Sequence, residues 1–283
     1  MTQKELEHIA SQKNILKTTI DKDWVLGHFL NAFYSSRENK MKFIFKGGTC
    51  LKKCYFEDYR FSEDLDFTLL DSNFILDTGF LKMIIEKSKE ISDIRYYISE
   101  IKEQYHNDVK QGYEVKIKYW GADHKPNTPI PHPDRWQTYV KLDISFSERM
   151  ILEPFNRKIF HPYSDSSSIN ETIPVYPMVE IIAEKVRSLI QRNRPRDIYD
   201  IWYVMNSREK PDEKDIQPLL FQKAESKGIT ISNIEQFVNE QKFKKNKRAW
   251  ENSLIQHMPV NALPDFETVY SQLKIIINRI LNV

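Results

Sequence analysis

Hydrophobic and polar positions along this chain change rhythm several times. In "DKDWVLGHFLNAFYSS", Trp24, Leu26, Phe29, Leu30 and Phe33 recur at helical spacing and predict an amphipathic helix. "KFIF" reads as a short buried strand ending at a glycine pair, and "TCLKKCYF" restarts as helix. "DLDFTLL" is a strand and "DTGFLKMIIEKSKEI" an amphipathic helix. Three strands follow in "RYYISEI", "YEVKIKYW" and "TYVKLDISF", the last two alternating strictly between apolar and polar. The Pro-rich "HKPNTPIPHPD" between them is a loop.

Past "ETIPVYPM" the two-residue rhythm disappears and helical periodicity takes over to the C-terminus. The pattern therefore predicts a mixed α/β unit followed by a mostly helical one. Their boundary falls between Ser164 and Pro177, and we place the domains at 1–170 and 171–283.

Composition narrows the class. With 40% hydrophobic, 12% aromatic and 29% charged residues, this is the profile of a folded globular chain. No apolar run is long enough to span a bilayer, and the polar "MTQKELEHIASQKN" lacks a signal-peptide core, so a cytoplasmic location with no membrane partner is expected. Cys50 and Cys54 lie four apart in one predicted helix; the pair reads as two small apolar side chains rather than a disulfide or zinc site. A net charge of +2 conceals two basic runs, "RNRPR" (192–196) and "KFKKNKR" (242–248), which suit solvated helix ends and are compatible with a polyanion.

Candidate chemistry begins at the glycines. The chain has 7, yet Gly47 and Gly48 stand together between a strand and a helix. Such a turn, followed by Thr49, can aim backbone N–H groups and a hydroxyl at a phosphate. Taken alone, however, the feature reads first as a tight strand-to-helix turn with Thr49 as helix N-cap. On the next strand, the period of two puts Asp64, Asp66 and Thr68 on one face, opposite Leu65, Phe67 and Leu69. Two carboxylates on one face repel, so they call for a cation or open water; Mg²⁺, with its preference for carboxylate and phosphate oxygens, is one such cation. Asp143, on the polar side of "TYVKLDISF", completes a carboxylate set if that strand lies beside the first.

A further signal comes from "PMVEIIAEKVRSLIQRN". Lys185 falls inside the apolar stripe of Met178, Ile181, Ile182, Val186 and Leu189. A lysine there needs a paired charge or an outward-reaching stem. Asp197 and Asp200, in "RPRDIYDIWYVM", are its natural companions, either as a structural ion pair or as the holder of a lysine directed at phosphates.

Taken together, "FKGGTCLKKCY", "YRFSEDLDF" and "EIIAEKVRSLIQRNRPRDIYDIWYV", with the closing "AWENSLIQHMPVNALPDFETVYSQLKIIINRI", resemble the AbiEii/AbiGii family of nucleotidyltransferase-like toxins over most of the chain. The resemblance implies an α+β fold: a minimal, polymerase-β-like nucleotidyltransferase mixed sheet with flanking helices, then a helical C-terminal domain contributing Lys185 and Asp200 to the site. It also implies NMP transfer from an NTP with Mg²⁺ to an acceptor hydroxyl. In some members that acceptor is the 3′ end of tRNA, so that translation is blocked. A cognate antitoxin encoded nearby is the further partner, in a toxin–antitoxin or abortive-infection system.

Matched position by position, Gly47, Gly48 and Thr49 correspond to the turn facing the triphosphate, and Ser62 to the motif's serine. Asp64 and Asp66 correspond to the metal-binding aspartates. Lys185 and Asp200 correspond to the active-site lysine and later aspartate, with Asp197 in the same R-D-x-x-D element. Thr49 replaces a commoner serine, and the spacing to the D-x-D is longer than in the shortest form of the motif. Asp143 is expected as a third metal carboxylate able to help deprotonate the acceptor. Two other functions stay open at this point: transfer to a small molecule or protein hydroxyl, and a non-catalytic binding module on the same fold.

Overall fold

The structure, a computed structural model, describes residues 1–124 and 128–282. Two compact units divide it: Met1–Met150 with Pro154–Tyr176, and Ile151–Glu153 with Pro177–Val283.

The first unit opens with α1 (Gln3–Lys13) and α2 (Lys17–Phe33), followed by the short α3 (Arg37–Lys42). Sequence periodicity suggests one apolar face for α2, but the helix is buried on nearly every side, including Asp21, Asp23, His28 and Asn31. A helix buried all round must satisfy its polar side chains internally. Asn31 does so by accepting the N–H groups of Asn170 and Glu171 and donating to the carbonyl of Ser168. Asp23 pairs with the buried Lys53 at 2.6 Å and accepts from the Tyr163 hydroxyl at 2.7 Å.

Strand β1 (Phe43–Lys46) runs straight into α4 (Gly47–Cys50), which continues as a π-helical turn over Leu51–Tyr55. Then come β2 (Asp64–Leu69), α5 (Thr78–Ser92), β3 (Arg95–His106), β4 (Val109–Trp120), β5 (Tyr139–Ser145), β6 (Phe155–Lys158) and β7 (Thr172–Val175). They form one seven-stranded sheet ordered β3-β4-β5-β2-β1-β7-β6. The β2–β5 and β1–β7 pairs are parallel, and β1–β2 is antiparallel. The fold class is thus α+β with a mixed sheet, as expected.

Two features depart from the sequence reading. Strands β3 and β4 extend to a two-residue turn at Asn107 and Asp108, both at positive φ (49° and 61°), the geometry of a tight hairpin. The polar segment leading into it carries no alternation, so its pairing is invisible in the pattern. Strands β6 and β7 are four residues each and were also missed; residues 171–176, grouped with the helical part by the sequence, supply β7 to the sheet. The predicted loop over 124–134 falls partly on residues 125–127, outside the described residues.

The second unit contains α6 (Met178–Gln191), α7 (Pro195–Met205), α8 (Glu213–Glu225), α9 (Glu240–Leu254) and α10 (Phe266–Leu281). Its buried polar anchor is Glu180, fully shielded in the first turn of α6. The two carboxylate oxygens accept the N–H groups of Ile151 and Leu152, each at 2.9 Å, and Lys223 balances the charge at 2.6 Å. This is why residues 151–153 belong with the helices. No helix among the described residues is long and apolar enough to cross a membrane.

Candidate active site

Lys46 is the last residue of β1, and Gly47 follows at φ +79°, a conformation that side-chain-bearing residues rarely adopt. The reason for glycine is also steric. A Cβ on Gly47 would stand 2.2 Å from Asp66 Oδ2, so the turn is folded directly onto that carboxylate. A Cβ on Gly48 would meet Arg60 Nη2 at 2.9 Å and Ser62 Oγ at 3.2 Å. The residues joined here by contact are thus Gly47 with Asp66, and Gly48 with Ser62 and Arg60.

Thr49 does not cap the helix. It lies inside α4, fully buried, and its hydroxyl donates to the backbone carbonyl of Asp64, stitching the turn to β2.

The acidic face forms as the two-residue period demands. Asp64 and Asp66 are half-buried, whereas Leu65 and Phe67 are fully buried on the other face. In the parallel β2–β5 register Asp66 stands opposite Asp143 and Asp64 opposite Lys141, which brings the three aspartates onto adjacent strands of one face. Burial pushes the Asp143 carboxyl above the ordinary aspartate range. The Lys141 ammonium, 3.0 Å away, opposes this, while Asp64 and Glu114 add to it. Lys141 also binds Glu114 at 3.0 Å, so it bridges two carboxylates across β4 and β5.

Several residues beside this face escaped the sequence reading. Lys46 is the cross-strand neighbour of Asp66, binds the Glu148 carboxylate and lies over the Tyr176 ring at 5.4 Å. Arg60 is buried, donates to the carbonyl of Phe61 and packs on the Tyr59 ring at 5.4 Å. Their signals were positional: Lys46 directly precedes the glycines, Arg60 lies two before Ser62, and Lys141 two before Asp143.

The aspartates offer only carboxylate oxygens, the donor type that magnesium takes, and the glycine turn leaves the space beside Asp66 Oδ2 free of any Cβ. On donor chemistry they fit a magnesium ion. They are not drawn tightly together: among the described residues, the trio with ligand atoms all within 4.8 Å of one another is His28, His161 and Asp165.

In the helical unit, Lys185 is buried on α6 as its place in the apolar stripe requires. Its ammonium is 2.5 Å from Asp200 Oδ2 and 3.5 Å from Asp197 Oδ1. Asp200 is completely shielded. Asp197 is mainly engaged by Arg192, whose Nε and Nη2 donate to its two oxygens at 2.9 and 3.0 Å, a bidentate fork. Asp200 is therefore the closer counter-ion of the lysine.

The basic runs are largely committed to structure. Besides Arg192, Arg196 donates to the carbonyl of Ser253, and Lys242 donates to those of Leu189 and Gln236. Lys244, Lys245, Lys247 and Arg248 remain exposed, with Lys244 and Lys247 paired to Glu240 and Glu267. Cys50 and Cys54 are free, buried thiols.

Comparison with known proteins agrees with this architecture. MenT4, a nucleotidyltransferase toxin from Mycobacterium tuberculosis H37Rv, superposes with a TM-score of 0.67 at 14% identity, covering 100% of this chain and 90% of that one. JHP933 from Helicobacter pylori superposes with a TM-score of 0.52 at 14% identity, covering 94% of this chain and 93% of that one. At such identities the likeness is one of fold. No functionally curated protein matches in sequence. The sequence profile described as "Nucleotidyl transferase AbiEii toxin, Type IV TA system" matches residues 28–272, and the chain belongs to that family.

Proposed function

We propose that this nucleotidyltransferase toxin transfers a nucleoside monophosphate from an NTP, with Mg²⁺, to the 3′ hydroxyl of a tRNA, and so blocks translation. The observation that supports it best is the folding of the Gly47 turn onto Asp66, beside Asp64 and across from Asp143. Phosphate-approachable backbone and a hard-oxygen face then occupy one place, as nucleotidyl transfer needs.

Asp64 and Asp66, with Asp143 as third carboxylate, would hold magnesium, which when bound supplies charge neutralisation for the triphosphate. The backbone N–H groups of Gly47 and Gly48 receive phosphate oxygens, and the Ser62 hydroxyl adds a donor. Lys185, held by Asp200 and supported by Asp197, contributes its positive charge to the triphosphate. The acceptor oxygen forms a bond to the α-phosphorus as the bond to the β-phosphate oxygen breaks, and pyrophosphate leaves. The proton of the acceptor passes to a carboxylate, a role open to Asp143 on the strand beside Asp66. Little covalent work falls to the protein; catalysis is positioning and charge. The toxin–antitoxin family assigns it an antitoxin as counterpart.

Purified protein incubated with magnesium, total cellular RNA and each α-phosphate-labelled NTP tests this reading. Label in a tRNA-sized band is the expected result and names the nucleotide. Label on a small molecule or a protein instead would replace the acceptor, leaving the chemistry intact; no label with any acceptor would overturn the reading.

A further inference from the structure

One polar cluster in the first unit takes no part in the proposed reaction. His28 on α2 and His161, in the segment between β6 and β7, both turn Nε2 toward the carboxylate of Asp165. The separations are 3.0 Å to Oδ2 and 3.2 Å to Oδ1. Both rings are almost fully buried, and they meet edge to face with centroids 4.9 Å apart. Their orientations are fixed by packing. Trp24 stands at 5.1 Å from His28, Tyr163 at 4.8 Å from His161, and a Cβ on Gly27 would lie 2.2 Å from His161 Nδ1, so only glycine admits that ring.

We propose that His28, His161 and Asp165 form a binding site for a zinc-class transition-metal ion, separate from the magnesium chemistry of the aspartate face. Two imidazole nitrogens and a carboxylate are a donor set zinc accepts readily and magnesium does not. The three ligand atoms already lie within 4.8 Å of one another. Donors about 2.0–2.1 Å from a tetrahedral zinc lie roughly 3.3 Å apart, close to the two nitrogen–oxygen separations seen. One cation can take the place of the two N–H···O protons once the carboxylate draws back from the nitrogens that now point at it.

The surroundings set its strength. Trp24 Nε1 donates to Asp165 Oδ2 at 2.8 Å and fixes the carboxylate, as an outer-shell partner does. Against this, the Met1 amino group lies 2.9 Å from Oδ2, and the charge of Lys53 is felt at His161. Neither Nδ1 has a hydrogen-bond partner, so both rings lack the outer-shell contact that sharpens most metal-binding histidines. Affinity is accordingly lower than at a fully supported site, by about tenfold or more. Occupancy ties the 159–165 segment to α2, so the site acts on stability.

The test uses the full chain, stripped with a chelator, then given Zn²⁺ alone, Co²⁺ alone or Mg²⁺ alone. The expected results are one zinc retained per chain after desalting, visible d–d bands of four-coordinate Co²⁺, and a zinc-dependent rise in Tm of several degrees. Mg²⁺ should produce none of these. Retained zinc should fall about tenfold or more in His161→Ala, and likewise in Asp165→Asn, which preserves the carboxylate's shape if the first variant folds poorly. Asp64→Ala should bind zinc normally, which separates this site from the reaction centre. Zinc uptake absent from the wild type, or equal in wild type and Asp165→Asn, overturns the proposal.

Discussion

Gly47 and Asp66 are packed so closely that a single methyl group on the glycine would stand 2.2 Å from the carboxylate oxygen. The contact joins the β1–α4 turn to the acidic face of β2, and it makes the glycine answerable for the position of the aspartate.

Alanine at position 47 meets both this clash and the positive φ of +79°. The backbone strain alone is about 1–2 kcal/mol. Gly47→Ala should lower thermal stability by a few degrees and nucleotide transfer by at least about a hundredfold, because Asp66 must move. Gly48→Ala presses only on the ends of the Arg60 and Ser62 side chains and has no φ penalty, so it should be the milder of the two. Parallel melting curves and single-turnover transfer rates check the ordering; equal effects would show that the contact with Asp66 is unimportant.

The Lys185–Asp200 pair separates stability from activity. Removing one member leaves a buried charge without its closest partner, a loss on the order of 3–5 kcal/mol. Asp200→Leu should therefore destabilise strongly. The double variant Lys185→Met with Asp200→Leu should regain most of that stability while remaining inactive in transfer. Recovery of transfer by the double variant would remove Lys185 from the reaction.

Two buried groups of opposite sign contribute to the acid dependence of folding. Burial raises the Asp21 carboxyl to about 7, against its backbone hydrogen bond from Ala122, with the charge of Asp123 adding to the rise. Its stabilising, protonated form is complete below the unfolded value near 4 and is lost as pH rises toward 7. Burial lowers the His161 imidazole to about 4, so its contribution is present above about 6.5 and is lost as pH falls through 4. Between pH ~4 and ~6.5 the two slopes cancel. In Asp21→Asn the histidine slope is exposed, and unfolding free energy should fall on acidification by roughly 1.4 kcal/mol per pH unit. Denaturant melts across this range decide it; an unchanged pH profile in the variant would show that Asp21 is ionised throughout.

For an RNA acceptor, the exposed side chains of α9 are the relevant part of the basic runs. Lys244→Glu with Lys245→Glu and Arg248→Glu should weaken RNA binding and flatten its salt dependence, while leaving NTP binding unaltered. Undiminished RNA labelling by the triple variant would place the acceptor elsewhere on the protein.

Much of this site was legible in the chain because it follows short-range rules. The two-residue period of β2 put Asp64 and Asp66 on one face, and the helical period placed Lys185 in an apolar stripe where it needed a counter-ion. What remained hidden depends on pairing at a distance. That Asp143 stands opposite Asp66 is a matter of strand register, and that Lys141 bridges Asp143 to Glu114 follows from the same register. Thr49 looked like a cap because capping is local, but its hydroxyl finds the carbonyl of Asp64, fifteen residues on. The His28–His161–Asp165 cluster spans 137 residues and carries no motif at all.

The central claim is that the face of Asp64 and Asp66 carries out nucleotide transfer, and the most direct measurement is the transfer rate of Asp64→Ala and Asp66→Ala beside their melting curves. Both side chains are half-buried, so the variants should fold. Melting temperatures near that of the wild type, with transfer abolished, are the expected result. A folded Asp64→Ala protein that transfers nucleotide at the wild-type rate would contradict it.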